Sequence, residues 1–317
     1  MGGNVFAGQT SAIARENISP TLIRYFAELS EIFPKKAGIF NLQHFQTLGS
    51  VGKKPTSGDI DLGIDMSYIL DADVSDQAIL QWNLDPRRVR SEADLLQSRA
   101  RTSTPAQTLN KAFFKILTQY INEHAPSLHC DEKKVTSGNI FGLYPQYTPQ
   151  GQQLPTAVQI DWMVGNIDWL RFSYYSSAYP TGSNVKGLHR TQLMLAAFQH
   201  AGFSFNHVDG VKDRASNTIV ANNPQDALTV LGFAYGTSIA PDVAKDYYKL
   251  HALLKSLPQQ DYTAIIDIYL RILDRTRADI PDDLQKYWVT SQQRLGLTGK
   301  FLPAESKLIP YRTETAS

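Results

Sequence analysis

Apolar residues along the chain follow strand-like alternation in places toward the front and helical spacing over most of the back. Leu22, Ile23, Phe26, Leu29, Ile32 and Phe33 recur at helical spacing behind Ser19-Pro20, which reads as an N-cap and first helical residue. The small, polar residues 1–17 before it read as an irregular arm. Pro34-Lys35-Lys36 ends that helix, and residues 40–48 read as a first strand. Leu109, Phe113, Ile116, Leu117, Tyr120 and Ile121 form the stripe of an amphipathic helix over 106–123. Alternation at 133–141 and 156–164 predicts two strands of a hairpin, with the Gly/Pro/Gln-rich segment between them as its long loop. A helix over 188–201, a strand through Phe203 and Phe205, and a short helix over 224–233 follow. From Asp242 onward two helical stripes dominate, one through Tyr247, Leu250, Leu253, Leu254 and Leu257, the other through Ile265, Ile268, Ile272 and Leu273. The polar residues 68–108 read as an insertion, and those after Phe301 as a polar tail.

One stretch breaks the structural monotony. Gly49-Ser50 opens a turn, Lys53-Lys54 makes it basic, and Asp59-Ile60-Asp61-Leu62 then alternates charged and apolar residues. Side chains two apart on a strand share a face, so Asp59 and Asp61 converge while Ile60 and Leu62 turn into a core. Adjacent carboxylates repel unless a divalent cation sits between them, and an oxygen-ligand set of this kind suits magnesium. Backbone N–H groups in a Gly-Ser turn suit an anion such as phosphate. The pair of features fits metal-assisted phosphoryl or nucleotidyl transfer; the alternative is a solvated hairpin. Asp65 shares the face of Asp61 but lies farther along the strand, where it reads as solvated.

Asp161 stands alone among Val158, Ile160, Trp162 and Met163, where a charge is costly unless paired with a base or a metal. Asp168 competes for the same role, but Gly165-Asn166 places it in a turn. His129, Cys130 and Asp131 lack partners at zinc-site spacing and read as a strand end. Arg87-Arg88-Val89-Arg90 and Arg99-Ala100-Arg101 read either as a solvated face or as a local phosphate-binding patch.

The run from Gly49-Ser50 through Ser57-Gly58-Asp59-Ile60-Asp61 resembles the signature of the DNA polymerase beta-like nucleotidyltransferase superfamily, and family X polymerases especially. The resemblance extends to Tyr179-Pro180-Thr181-Gly182-Ser183-Asn184, similar to that family's turn against the nucleotide's sugar and base, and to Pro224–Phe233, similar to a thumb helix. It covers about residues 40–242. It departs at Lys53-Lys54, where the family often has arginines, and at Tyr179-Pro180, where it usually has two aromatics; helix-hairpin-helix motifs and a lyase domain are not seen before the signature. The resemblance implies an α/β (α+β) fold: a palm with a mixed, mainly antiparallel sheet, and a helical C-terminal half. Its parts would be a catalytic domain over 1–186 carrying the insertion, a thumb-like helical region over 187–300, and a tail over 301–317. It further implies two magnesium ions, with manganese as the substitute, held by Asp59, Asp61 and Asp161. Asp161 would help to deprotonate the attacking hydroxyl. Gly49, Ser50, Lys53 and Lys54 would meet the triphosphate of an NTP or dNTP, and Tyr179, Gly182, Ser183 and Asn184 its sugar and base. The acceptor implied first is a nucleic-acid 3′-hydroxyl, and second a protein hydroxyl; a non-catalytic nucleotide-binding module is a third reading.

Composition narrows the partners. A formal net charge of +1 over 317 residues supplies no global field toward nucleic acid or membrane, so any polyanion site must be local. The single cysteine, Cys130, excludes an internal disulfide and fits a reducing compartment. No apolar run has bilayer-spanning length, no signal peptide is seen, and Phe6 stands where a myristoylation motif wants Ser or Thr; the expected location is cytoplasmic.

Overall fold

Ile13–Ala14 (β1) leads directly into an 18-residue helix, α1 (Arg15–Ile32), in a computed structural model that describes residues 5–6, 8–99, 104–179, 182–207 and 210–297. The helix therefore begins before Ser19-Pro20, with Pro20 inside it. Its buried stripe starts at Ile18 and runs through Thr21, Leu22, Tyr25, Phe26 and Leu29, and that burial outweighs the one intrahelical bond a proline removes. The arm in front of it is not wholly irregular, because β1 pairs antiparallel with Thr56–Ser57.

Residues 40–48 do not form the expected strand. A 3₁₀ segment, Pro34–Ile39, leads to a turn in which the Asn41 carboxamide oxygen accepts the N–H groups of Gln43 and His44. Only Gln46–Thr47 (β2) is extended. The reason lies in Phe40 and Phe45, which stack at 5.9 Å in the same core. Five positions apart on a strand, they would face opposite ways. Thr56–Ser57 (β3) and Asp59–Asp65 (β4) come next.

Residues 66–99 are built into the core as helices α2 (Met66–Ile69), α3 (Asp76–Leu80) and α4 (Pro86–Arg99). Ile79, Trp82, Leu84 and Val89 are buried with the sheet's own residues, and Trp82 donates its indole N–H to the Ile69 carbonyl at 2.8 Å. Side chains from the stretch read as an insertion thus contribute to the first core. Helix α5 (Pro105–His124) is as expected, with a capping box between Thr104 and Gln107.

After β5 (His129–Cys130), the expected hairpin is shifted and longer: β6 is Asn139–Tyr147 and β7 is Gln153–Gly165. Residues 133–138 turn instead, because Asp131 accepts the N–H groups of Lys133 and Lys134 and Thr136 accepts that of Asn139. The Gly/Pro/Gln-rich segment is mostly strand, alternating buried Gly142, Tyr144 and Gln146 with half-exposed neighbours. The sheet order is β2-β4-β7-β6-β5, with β4 and β7 parallel and the other pairs antiparallel, the mixed, mainly antiparallel arrangement expected.

The remainder is largely helical: α6 (Ile167–Ser173), α7 (Gly187–His200), a small sheet of β8 (Phe203–Asn206), β9 (Gly210–Asp213) and β10 (Ile219–Ala221), then α8 (Pro224–Ala234), α9 (Pro241–Lys245), α10 (Tyr247–Lys255), α11 (Gln259–Thr276) and α12 (Gln285–Leu295). Among the described residues two large apolar cores result, with a small cluster of Leu48, Met163 and Leu170 besides. One gathers buried side chains from Ile13 to Val164, the other from Trp169 to Trp288. No described helix is long and apolar enough to cross a membrane. The expected tail, Pro180 and Thr181 lie outside the described residues.

Candidate metal centre and the adjoining cleft

Strand β4 turns Ile60, Leu62 and Ile64 fully inward, which leaves Asp59 and Asp61 on the opposite face. Strand β7 does the same with Ile160 and Trp162, leaving Gln159 and Asp161. The two strands are parallel neighbours with Asp59 opposite Gln159 and Asp61 opposite Asp161. Three carboxylates, Asp59, Asp61 and Asp161, therefore meet, each offering an oxygen within 4.8 Å of the others.

Burial and mutual repulsion act on this cluster together. Burial, then the charge of Asp59, raises the Asp61 carboxyl to about 7. Burial, then the charge of Asp61, raises Asp161 to about 8. Burial, then the charges of Asp61 and Asp161, push the nearby Tyr174 hydroxyl upward. Asp161 is 4% exposed, with one oxygen, Oδ2, held by the Gln159 side-chain N–H at 2.7 Å. Its other oxygen, Oδ1, is buried without a hydrogen-bond partner among the described residues. Three converging carboxylates, one of them with a buried and unpartnered oxygen, form a donor set that can hold a divalent metal.

Gly49 closes one side of the centre. Its φ of +60° is left-handed, and a Cβ there would lie 3.5 Å from Asp61 Oδ2 and 3.7 Å from the Tyr174 carbonyl oxygen. The turn is anchored where it matters, because the Leu48 N–H donates to the Asp61 carbonyl at 2.9 Å. Beyond Gly49 opens a cleft of about 540 Å³ between the two cores, lined among others by Lys53, Asp168, Arg171, Tyr175, Gln225 and Lys245. The Lys53 ammonium donates to the Ser176 carbonyl at 2.9 Å and lies 5.0 Å from the Tyr175 ring centroid; Lys245 lies 5.4 Å from the same ring. Burial lowers the Lys53 pKa.

The other residues singled out in the sequence are placed differently. Ser50 and Lys54 are exposed. Tyr179 packs edge-on to Tyr248, and Gly182 has a φ of +88°. Ser183 bonds to the Tyr248 hydroxyl at 2.7 Å. Asn184 donates to the Ile280 carbonyl at 2.7 Å and accepts the Asp282 N–H at 2.9 Å. None of these six lines the cleft. Asp65 is not simply solvated: it caps α2 by accepting the Ser67 N–H at 3.0 Å. Asp168 is exposed, 4.0 Å from Arg171. The arginine run is largely answered locally, Arg87 by Asp85, Arg88 by Glu123 and Arg90 by Asp76.

Four contributors escaped the sequence reading. Gln159 was legible in principle, since it sits two positions before Asp161 and so shares its face. Arg171, Tyr175 and Lys245 carry no local signal, because only packing of the second core against the first brings them to the cleft. No protein-family model matches the sequence. No curated protein matches it. Among solved structures, one to which the chain is similar is polymerase beta of Leishmania infantum in a ternary P/T complex, at 14% identity and a TM-score of 0.38, over 75% of this chain and 77% of that one.

Proposed function

We propose that this chain is a nucleotidyltransferase, with residues 1–186 as its catalytic, palm-like part and 187–300 as a thumb-like region. It would transfer a nucleoside monophosphate from an NTP or dNTP to an acceptor hydroxyl. The acceptor oxygen bonds to the α-phosphorus, the bond from that phosphorus to the bridging oxygen breaks, and pyrophosphate leaves. The observation that carries the reading is the meeting of Asp59, Asp61 and Asp161, with Asp161 Oδ1 left unpartnered.

Asp59, Asp61 and Asp161 would hold two magnesium ions, for which manganese can substitute; when bound, these neutralise the phosphates and polarise the acceptor oxygen. The chain's own groups do the rest. Asp161 would take the acceptor proton as a general base. Gly49 and Ser50 offer backbone N–H groups to the triphosphate. Lys53 and Lys54, joined by Arg171 and Lys245, supply its counter-charge. The N-terminal end of α8, at Asn223–Gln225, adds the positive end of a helix to the same cleft. Tyr179, Gly182, Ser183 and Asn184, which lie outside the lining of the cleft, would border a sugar and base that extend beyond it. Chemistry of this kind depends mostly on positioning and charge neutralisation.

The preferred acceptor is a nucleic-acid 3′-hydroxyl. Incubation with each radiolabelled NTP and dNTP, magnesium, and RNA, DNA or lysate protein tests it directly. Label should pass to RNA or DNA and vanish with Asp59→Ala and Asp161→Ala. Label found on protein instead would move the acceptor to a protein hydroxyl. Transfer surviving in both folded variants would remove the site assignment.

A further inference from the structure

Gln159 has a second partner besides Asp161, and that partner comes from the start of the chain. Its side-chain carbonyl oxygen accepts the backbone N–H of Val5 at 3.1 Å. Val5 is itself held, its carbonyl accepting the Lys134 ammonium at 3.0 Å. Phe6 beside it is 5% exposed and sits edge-on to His129 at 6.1 Å. Farther along, the Ser11 N–H donates to the Ala157 carbonyl at 2.9 Å, and β1 pairs with β3. Residues 5–6 and 11–14 are thus stitched along β7 and the loop that precedes Asp59.

A carboxamide has one acceptor end and one donor end. A backbone N–H only donates, so Val5 selects the orientation in which the Gln159 oxygen faces the arm and its NH₂ faces Asp161. Gln159 is 2% exposed and has no water shell to let it flip freely. With Oδ2 of Asp161 thus occupied, Oδ1 is the oxygen left to the carboxylate cluster.

Resting on the metal-site reading above, we propose that Gln159 is a positioning residue. The relay Val5 N–H to Gln159 to Asp161 makes the N-terminal arm a determinant of the geometry of a carboxylate more than 150 residues away in sequence. The relay orients Asp161 and does not itself touch the reacting atoms.

The test is Mn²⁺ binding to the full chain without nucleotide, followed by electron paramagnetic resonance of the free ion. Gln159→Met keeps the length of the side chain and removes its hydrogen bonds; affinity should fall about 10–100-fold, as when the hydrogen-bonding support of a metal ligand is lost. Val5→Pro removes the N–H, together with the valine side chain and the freedom of φ, and should cost about five-fold, the worth of one neutral hydrogen bond. Val5→Ala keeps the N–H and should bind like the parent protein. The double variant, Val5→Pro with Gln159→Met, should bind no more weakly than Gln159→Met alone, since the proline then has nothing left to disturb. Fully additive losses, or parental affinity in Gln159→Met, would overturn the relay while leaving the metal site standing. A parent protein that binds no Mn²⁺ would overturn the metal-site reading, and the relay with it.

Discussion

At Asp161, burial and charge oppose each other. The carboxyl is raised to about 8 by desolvation and by Asp61, and Asp61 to about 7 by desolvation and by Asp59. Both start from 3.8 in the unfolded chain. The folded protein therefore keeps protons that the unfolded chain has released, and this stabilisation is complete below pH 3.8 and lost as pH rises to about 8. Thermal denaturation in EDTA should show these acids lowering the melting temperature across that window, and magnesium should restore it above pH 8. Asp161→Asn should flatten the decline and stabilise the metal-free protein at pH 8.5 by at least ~1 kcal/mol, while reducing transfer by about 10³-fold or more. A parallel decline in parent and variant would show that Asp161 is not the source. Gly49 permits a different prediction. With its left-handed φ and Asp61 close by, Gly49→Ala should cost about 1 kcal/mol in chemical denaturation and raise the nucleotide KM.

Among the elements, the decisive pair is β4 and β7. Their parallel pairing requires a long crossover, here the chain from α2 through β6, and only that crossover brings Asp61 level with Asp161. The segment after Gly182 plays a bracing part. Ser183 and Asn184 hold Tyr248, Ile280 and Asp282, so the C-terminal helices brace the turn that the family resemblance assigns to the nucleotide. Asn184→Ala should therefore destabilise the fold by about 1–3 kcal/mol, measured by urea titration, besides any effect on nucleotide binding. A change in KM with unaltered stability would mean that the bracing contributes little.

Over the whole molecule, two cores meet at the cleft, and Arg190 pins the second core behind it. Fully buried, its guanidinium donates to the carbonyls of Ala244 at 2.7 Å, Phe172 at 2.6 Å and Ser173 at 3.3 Å, tying α7 to α6 and α9. Burial lowers its pKa to about 10, so it remains a cation behind the wall that carries Phe172, Tyr175 and Lys245. Arg190→Met should strand the Ala244 carbonyl and leave those of Phe172 and Ser173 only the Tyr175 N–H at 3.3 Å and the Thr191 hydroxyl at 2.8 Å, at a cost of about 1–3 kcal/mol that lowers the melting temperature. If the melting temperature holds, the Tyr175 and Thr191 bonds suffice and the pin is dispensable.

Local chemistry made part of this protein readable. Alternation over Asp59–Leu62 and Val158–Met163 put the three acids on the strand faces opposite Ile60, Leu62, Ile160 and Trp162, because the period of a strand is a property of the backbone. Helical stripes in α5, α10 and α11 were equally local. The shifted β6 and the absent strand at 40–48 were not, since side-chain turns at Asn41 and Asp131 and a shared aromatic core outweighed propensity. The charge of the arginine run was read without its partners, which come from neighbouring segments. The register of Asp61 against Asp161, the grip of Val5 on Gln159 and the gathering of Lys53, Arg171 and Lys245 around one cleft are all contacts between residues far apart in the chain. Nothing in a neighbour-by-neighbour pattern specifies such meetings; they arise only when the crossover and the two cores have packed.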